Sequence, residues 1–329
     1  MGLTNFPNGI TSFGVPVLPL GGMATQGNVW FVKPYSGSDG NSGKSPARAF
    51  KTLAQALSAA TASQNDIVYL ISESNTAAST FDYLSAALDW NKDMVHLIGV
   101  NAGPRIGSRA GLRNTTTVLT IEDLFTVSAD NCLIANISIF QGDCTSSTAT
   151  SPRAMVVSGE RNMIVNCQIS GNGSTDDSMD NAGARSLAVT GAENTFSNCY
   201  IGLDTVLRST QTTEIYLTTG ARNIFENCII NSYTSLSTFK AVTVGASDRF
   251  VLFKDCIMNA VQNITSAVAP TGAIDSGSVN GSVLVMGGGV FGYADVTTAD
   301  DTKTLVLTHP AVAANIIDMG VAKGTDVAA

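Results

Sequence analysis

The sequence is poor in charge. Only 13% of its 329 residues are Asp, Glu, Lys or Arg, while 44% are hydrophobic; an average soluble protein carries about 25% charged residues. That balance excludes a disordered chain, which needs low hydrophobicity and high net charge. The charge present has the wrong sign for nucleic acid: 18 Lys+Arg face 26 Asp+Glu, a net charge of −8, and a phosphate backbone is held by cations. Histidine is nearly missing. His96 and His309 alone leave little material for a His-ligated metal or a Ser-His-Asp triad, so no metal and no cofactor is expected. Long apolar runs are missing too. No stretch approaches the ~20 residues of a membrane helix, and the early run Val15 to Leu20 is cut by Pro16 and Pro19. No Lys or Arg stands between Met1 and Phe13, so the basic flank of a secretory signal is lacking. Synthesis in a cytoplasm and no membrane partner are the expectations.

In place of these features the chain has a repeat. Four of its six cysteines sit in one phrase: Asn166-Cys167-Gln168-Ile169, Asn198-Cys199-Tyr200-Ile201, Asn227-Cys228-Ile229-Ile230 and Asp255-Cys256-Ile257-Met258, spaced by 32, 29 and 28 residues. A fifth copy, Asn136-Ile137-Ser138-Ile139, lies 30 residues earlier with Ile in the Cys position. Gly159, Gly191 and Gly220 each precede their cysteine by eight residues, whereas Gly245 stands eleven before Cys256, which reads as a small insertion around Ala246 to Arg249. Each unit is a short β-rich run, a Gly-led turn, a second run carrying Ile164, Phe196, Phe225 or Phe253, a bend at Asn or Asp, a third run and a variable loop. Nothing in it has the length or period of a helix. Such a repeat predicts an all-β chain: a right-handed, single-stranded parallel β-helix, a solenoid whose coils stack at ~4.8 Å.

Stacking turns repeated positions into columns. Cys167, Cys199, Cys228 and Cys256 become a row of small hydrophobes in the core, as free Cys usually behaves, with no CxxC pairing to suggest metal. Asn166, Asn198 and Asn227 become an amide ladder at the bend, where Asn tolerates left-handed backbone angles. Arg161, Glu193 and Arg222 become an exposed ion ladder worth ~0–1 kcal/mol per pair.

The ends differ from the repeat. Residues 1–27 read as an extended arm, 28–60 as a strand, a polar loop and a capping helix, 61–295 as the parallel β-helix, and 296–329 as a strand with a cap or second arm. Apolar residues at Phe50, Leu53 and Leu57 have amphipathic spacing and predict a helix over Ser45 to Leu57 that plugs the open coil. Asp66 to Ile71, Met94 to Val100, Ser282 to Met286 and Thr304 to Leu307 read as further strands. The arm carries no charge from Gly2 to Gln26; Phe6, Phe13, Val15, Val17, Leu18 and Leu20 would be sticky in water and are expected to be covered by the chain's own body or by a partner.

The opening also resembles a known family. Leu3-Thr4-Asn5-Phe6-Pro7-Asn8-Gly9, Ser12-Phe13-Gly14-Val15-Pro16, Gly37-Ser38-Asp39-Gly40-Asn41-Ser42-Gly43, Ser45-Pro46 and Phe50-Lys51-Thr52-Leu53 are similar to the start of tailed-bacteriophage virion proteins encoded near the capsid genes. These proteins have pectate-lyase-like β-helices and are read as structural head components. The resemblance covers roughly the first 55 residues. It implies a capsid decoration, cement or head-fibre protein on the capsid exterior, partnered by the major capsid protein or other virion proteins, and a homo-oligomer, a trimer among the options.

Three functions compete at this point. A decoration protein needs no catalytic constellation, and its surface is expected to be rich in Ser, Thr, Asn and Gly. A tailspike-type depolymerase needs two carboxyl groups flanking a glycosidic bond; Asp176, Asp177 and Asp180 form the densest acidic cluster, with Glu160, Asp204 and Glu214 on nearby turns. Against that role, the cluster reads first as a solvated or cation-binding loop, since it has neither an EF-hand pattern nor a paired Asp/Glu on adjacent strands. A non-catalytic glycan-binding fibre would use the loops Phe140 to Arg153, Ser170 to Arg185, Gly202 to Thr213 and Asn231 to Phe239, which leave one corner of successive coils. The first reading, with no catalytic residues, is the one the sequence favours.

Overall fold

Side-chain alternation of period two, repeated every coil, leaves the chain one way to bury its apolar residues: inside a tube of strands. The computed structural model describes residues 11–12, 15–16, 27–73, 81–100, 110–115, 120–142, 150–173, 180–245, 249–262, 269–276, 282–297 and 304–307. Three sheets wrap the core: ten strands from Val29–Val32 to Thr304–Leu307, eight from Phe81–Leu84 to Gly289–Phe291, and seven from Leu88–Trp90 to Ile274–Asp275. Pairing within all three is parallel, from one coil to the next. One coil runs Arg153–Val157 in the seven-stranded sheet, Met163–Val165 in the ten-stranded sheet and Gln168–Ser170 in the eight-stranded sheet, then returns at Arg185–Val189. The chain is a parallel β-solenoid.

Inward positions stack like with like. Ile164, Phe196, Phe225 and Phe253 share one register, and the three rings stack nearly parallel with centroids 4.6 and 4.8 Å apart. Two corners per coil turn the chain through left-handed residues: Asn131, Arg161, Glu193 and Arg222 at φ 56–60°, then Asn136, Asn166, Asn198, Asn227 and Asp255 at φ 52–57°. The first corner is strained for Arg and Glu. It is held because their N–H groups bond the next coil, Arg161 to the Ala192 carbonyl at 3.0 Å and Glu193 to that of Ala221 at 2.8 Å. Gly159 and Gly191 are fixed by close approach: a Cβ there would sit 2.0 and 1.9 Å from a carbonyl oxygen of the preceding coil.

The structure corrects two expectations. The helix does not begin at Ser45: Pro46–Arg48 is a 3-10 turn, Phe50 bridges to Val32, and helix α1 spans Leu53–Ala59 with Thr52 as N-cap. Phe50 has helical spacing, but its N–H and carbonyl are already bonded to Phe31 and Lys33. The Gly37–Gly43 loop serves this start, since Asp39 accepts the N–H groups of Lys51 and Thr52 at 2.8 and 2.9 Å. Leu53, Ala56 and Leu57 then join the same core as Trp30 and Val32. Second, the segments 202–213 and 231–239 are not all loop: strands run over Tyr200–Arg208 and Ile229–Thr234. They extend because each finds a parallel partner, Leu203 opposite Ser232 and Arg208 opposite Thr234, across a register shift.

Candidate functional site

The loops that join the eight-stranded to the seven-stranded sheet carry the acidic cluster singled out in the sequence. Asp176 and Asp177 lie outside the described residues. Asp180 is buried, and its carboxylate accepts the backbone N–H groups of Ser209, Thr210 and Gln211 at 2.5, 3.1 and 2.9 Å and the Ser209 hydroxyl at 2.8 Å. The turn from Ser209 to Thr212 closes around that carboxylate. Asp180 is a rivet between neighbouring coils, and its lone pairs are occupied.

Behind it lies a network that sequence reasoning missed. Glu214 and Arg208 are each 1% exposed. Glu214 takes the outward position preceding Ile215 in its strand, as Ser186 does before Leu187 in the coil below; Ser186 donates its hydroxyl to the Glu214 carboxylate, and the Gln211 amide donates at 3.3 Å. Burial pushes the Glu214 carboxyl up to about 7, against the opposing pull of Arg208, Ser186, Arg185 and Gln211. Burial likewise lowers the Arg208 guanidinium, opposed by Glu214 and Asp180. Arg208 donates to the Gly171 carbonyl at 3.1 Å, and Asn172 bridges Gln211 at 3.1 Å and Asp180 at 3.5 Å. Gly202, at φ +97°, leaves the room that the Glu214 side chain fills. A carboxyl poised near neutrality is a proton donor in principle. Here it is buried, and its hydrogen-bond partners come from Ser186 and Gln211 of neighbouring coil segments. Among the described residues no group of three His, Cys, Asp or Glu could hold a metal ion, and no helix is long and apolar enough to cross a membrane.

No family model matches the chain, and no curated protein does. Solved structures do. A pectin methylesterase mutant in complex with a hexasaccharide superposes with a TM-score of 0.55 at 16% identity, over 92% of this chain and 96% of that one. The pectate lyase Pel9A gives 0.52 at 12% identity, over 80% and 69%. The fold is a pectate-lyase-like parallel β-helix. At this identity the likeness is one of fold. A full-length tailspike protein from an Escherichia coli bacteriophage also matches, with a TM-score of 0.39 at 8% identity over 77% of this chain and 39% of that one.

The remaining candidate residues occupy the corners of the β-helix. Cys167, Cys199, Cys228 and Cys256 are buried free thiols, and each points at a carbonyl of the coil before: Ile134, Ile164, Phe196 and Phe225, at 3.4–3.5 Å. Burial and the adjacent thiols raise Cys199 well above the usual thiol range, the opposite of a reactive cysteine. Cys132, pushed up to about 12 by burial, sits at the other corner. At the bend, Asn166 donates to Asn136 at 3.3 Å, while Asn198 turns to Ser197 at 3.2 Å. A continuous buried amide ladder stands instead at the first corner. The side-chain oxygens of Asn162, Asn194 and Asn223 accept the N–H groups of Cys132, Asn162 and Asn194 at 2.8–2.9 Å. Their amides donate to Ala129, Gly159 and Gly191 at 2.8–3.0 Å. The signal was present in the sequence, an Asn three residues after Gly159, Gly191 and Gly220. Arg222 and Arg161 pair with Glu193 at 2.6 and 3.4 Å. In the arm, Thr11–Ser12 pairs antiparallel with Val15–Pro16; the side chains of Phe6, Phe13, Val15, Val17, Leu18 and Leu20 lie outside the described residues.

Proposed function

We propose that this chain is a non-catalytic structural protein of a tailed-bacteriophage virion, a capsid decoration, cement or head-fibre component. Its β-helix serves as a rigid scaffold. The arm of residues 1–27 attaches it to the major capsid protein or a neighbouring virion protein, on the capsid exterior. The observation that carries the reading is the fate of Asp180 and Glu214: both are buried beneath loops that they hold in place, which suits a scaffold and not a reaction centre. The resemblance of Leu3–Gly9 and Ser12–Pro16 to phage head components supplies the context. Purified virions are expected to contain this chain at a fixed ratio to the major capsid protein by quantitative mass spectrometry, and deletion of Met1 to Gly27 is expected to abolish incorporation. Stoichiometric incorporation of the shortened chain would reject attachment by the arm.

One observation favours a second reading, a polysaccharide depolymerase: burial raises the Glu214 carboxyl to about 7, the range in which a general acid works. Incubation with host capsular polysaccharide decides it. New reducing ends that vanish in Glu214→Gln or Asp177→Asn would replace the scaffold reading with this one.

A further inference from the structure

The corner where the chain leaves the eight-stranded sheet for the seven-stranded one holds more polar atoms than it pairs. Among the described residues, Arg208 Nη1, Asn172 Oδ1 and Gln141 Oε1 are buried without a hydrogen-bond partner, on residues that are 0–1% exposed. The bonds these side chains do make fix their orientation. Arg208 donates from Nη2 to the Gly171 carbonyl at 3.1 Å, which brings the guanidinium to the neighbour of Asn172. Asn172 turns Nδ2 to Gln211 Oε1 at 3.1 Å and to Asp180 at 3.5 Å. Gln141 turns Nε2 to the carbonyls of Ile121 and Glu122 at 2.9 and 3.2 Å, and its backbone carbonyl accepts the Gly173 N–H from the next coil at 2.9 Å. Flipping either amide would set oxygen against oxygen, so both unpaired atoms are acceptors.

We propose that this corner is a binding site for internal water, held between Arg208 Nη1 and Asn172 Oδ1, with Gln141 Oε1 as a further acceptor on the coil below. A guanidinium N–H buried without an acceptor bears the desolvation penalty of a charged group, and an amide oxygen beside it bears its own. What the corner needs is an acceptor for the arginine and a donor for the amides. Water supplies both from one centre, and an internal water typically makes about three such bonds. Charge argues against ions. A cation would meet the guanidinium, and an anion would share the corner with the carboxyl groups of Asp180 and Glu214, both of which act on Arg208 through their charge. The water joins Arg208 to Asn172, and through Asn172 to Gln211 and Asp180, so it belongs to the anchor that holds the turn from Ser209 to Thr212. This inference rests on the coil alone and stands or falls apart from the virion reading.

A crystal structure of the full chain, grown in sodium bromide at a resolution that shows ordered water, tests the proposal without any variant. The expected result is a peak of oxygen height within hydrogen-bond distance of both Arg208 Nη1 and Asn172 Oδ1, with no anomalous signal at the bromine absorption edge. In solution, the chain made with isotope-labelled arginine is expected to give a nuclear Overhauser cross-peak between the Arg208 guanidinium and water. Its sign should be that of a contact lasting longer than about a nanosecond, because buried water leaves only as the loops open, and Arg208→Lys assigns the signal by removing it. A bromide peak would make this an anion site. A side chain from residues 174–179 bonded to these atoms would make the chain its own partner. Either result overturns the proposal, as does a well-ordered corner with no density at the two atoms or an Arg208 guanidinium without a water cross-peak.

Discussion

At the scale of the residue, the most informative side chain is Glu214, a buried carboxyl that feels the charge of the buried Arg208. Burying two such groups rarely adds stability over apolar residues, because desolvation offsets what their charges gain. Their value is to tie loops of different coils to one point, here Gly171, Asp180, Ser186, Arg208 and Gln211. The cost is pH dependence. The folded chain keeps the Glu214 proton up to about 7, against an ordinary 4.5. Its contribution is therefore fully present below about pH 4.5 and lost as the pH rises through 7. At about 1.4 kcal/mol per pKa unit, the loss is roughly 3 kcal/mol. Asp82, raised by burial to about 6, acts in the same sense. His96, lowered by burial, acts in the opposite sense, with stability lost as the pH falls below its ordinary 6.5. The difference between wild type and Glu214→Gln isolates the one group. Thermal unfolding is expected to show the wild type losing about 5 °C relative to Glu214→Gln between pH 4.5 and pH 7.5. A difference that stays constant across that range would mean that Glu214 is ionised throughout.

At the scale of the element, the corners decide the fold as much as the strands do. Strands of three residues such as Leu133–Ala135, Met163–Val165 and Thr195–Ser197 are too short to specify a sheet by themselves. The coil needs a turn that closes at the same place each time. The Asn162–Asn194–Asn223 ladder supplies it, since every amide satisfies a backbone group on the neighbouring coil. Asn194→Ala would strand the Asn162 N–H and the Gly159 carbonyl in the interior, at about 1–3 kcal/mol for each unpaired group. Denaturant unfolding is expected to show a loss of about 2–6 kcal/mol; a loss below about 1 kcal/mol would mean that water replaces the amide. Elements of this kind were legible in the sequence because the repeat writes each column several times: Phe196, Phe225 and Phe253 announce the stack before any coordinates. The start of α1 was not legible. Phe50, Leu53 and Leu57 fit a helix equally well whether the backbone at Phe50 is helical or bridged to Val32. The Arg208–Glu214 network was not legible either. It is made by loops of unequal length, where no period exists and where burial of an arginine depends on which segments close over it.

At the scale of the molecule, a solenoid has no contacts between distant coils, so its stability is close to a sum over neighbours. Coils should then be removable. Cys228 and Cys256 stand one period of 28 residues apart, and deleting Cys228 to Asp255 joins Asn227 directly to Cys256, restoring the Asn-Cys phrase at the bend. Each sheet closes over the gap with an existing partner. Ile257 takes the place of Ile229 opposite Tyr200, Ile274 that of Val242 opposite Ile215, and Val285 that of Phe253 on Phe225. The Arg208–Glu214 anchor and the first corner's amide ladder are untouched. The shortened chain is expected to keep the β-type dichroism spectrum and to unfold cooperatively, with a denaturant slope lower by about a tenth, in proportion to the surface removed. Deleting Cys228 to Ala241, about half a coil, should instead place strands opposite turns and give an aggregated or unfolded product. If the full-period deletion failed as badly as the half-period one, the coils would not be interchangeable, and long-range contacts outside the three sheets would have to hold the protein together.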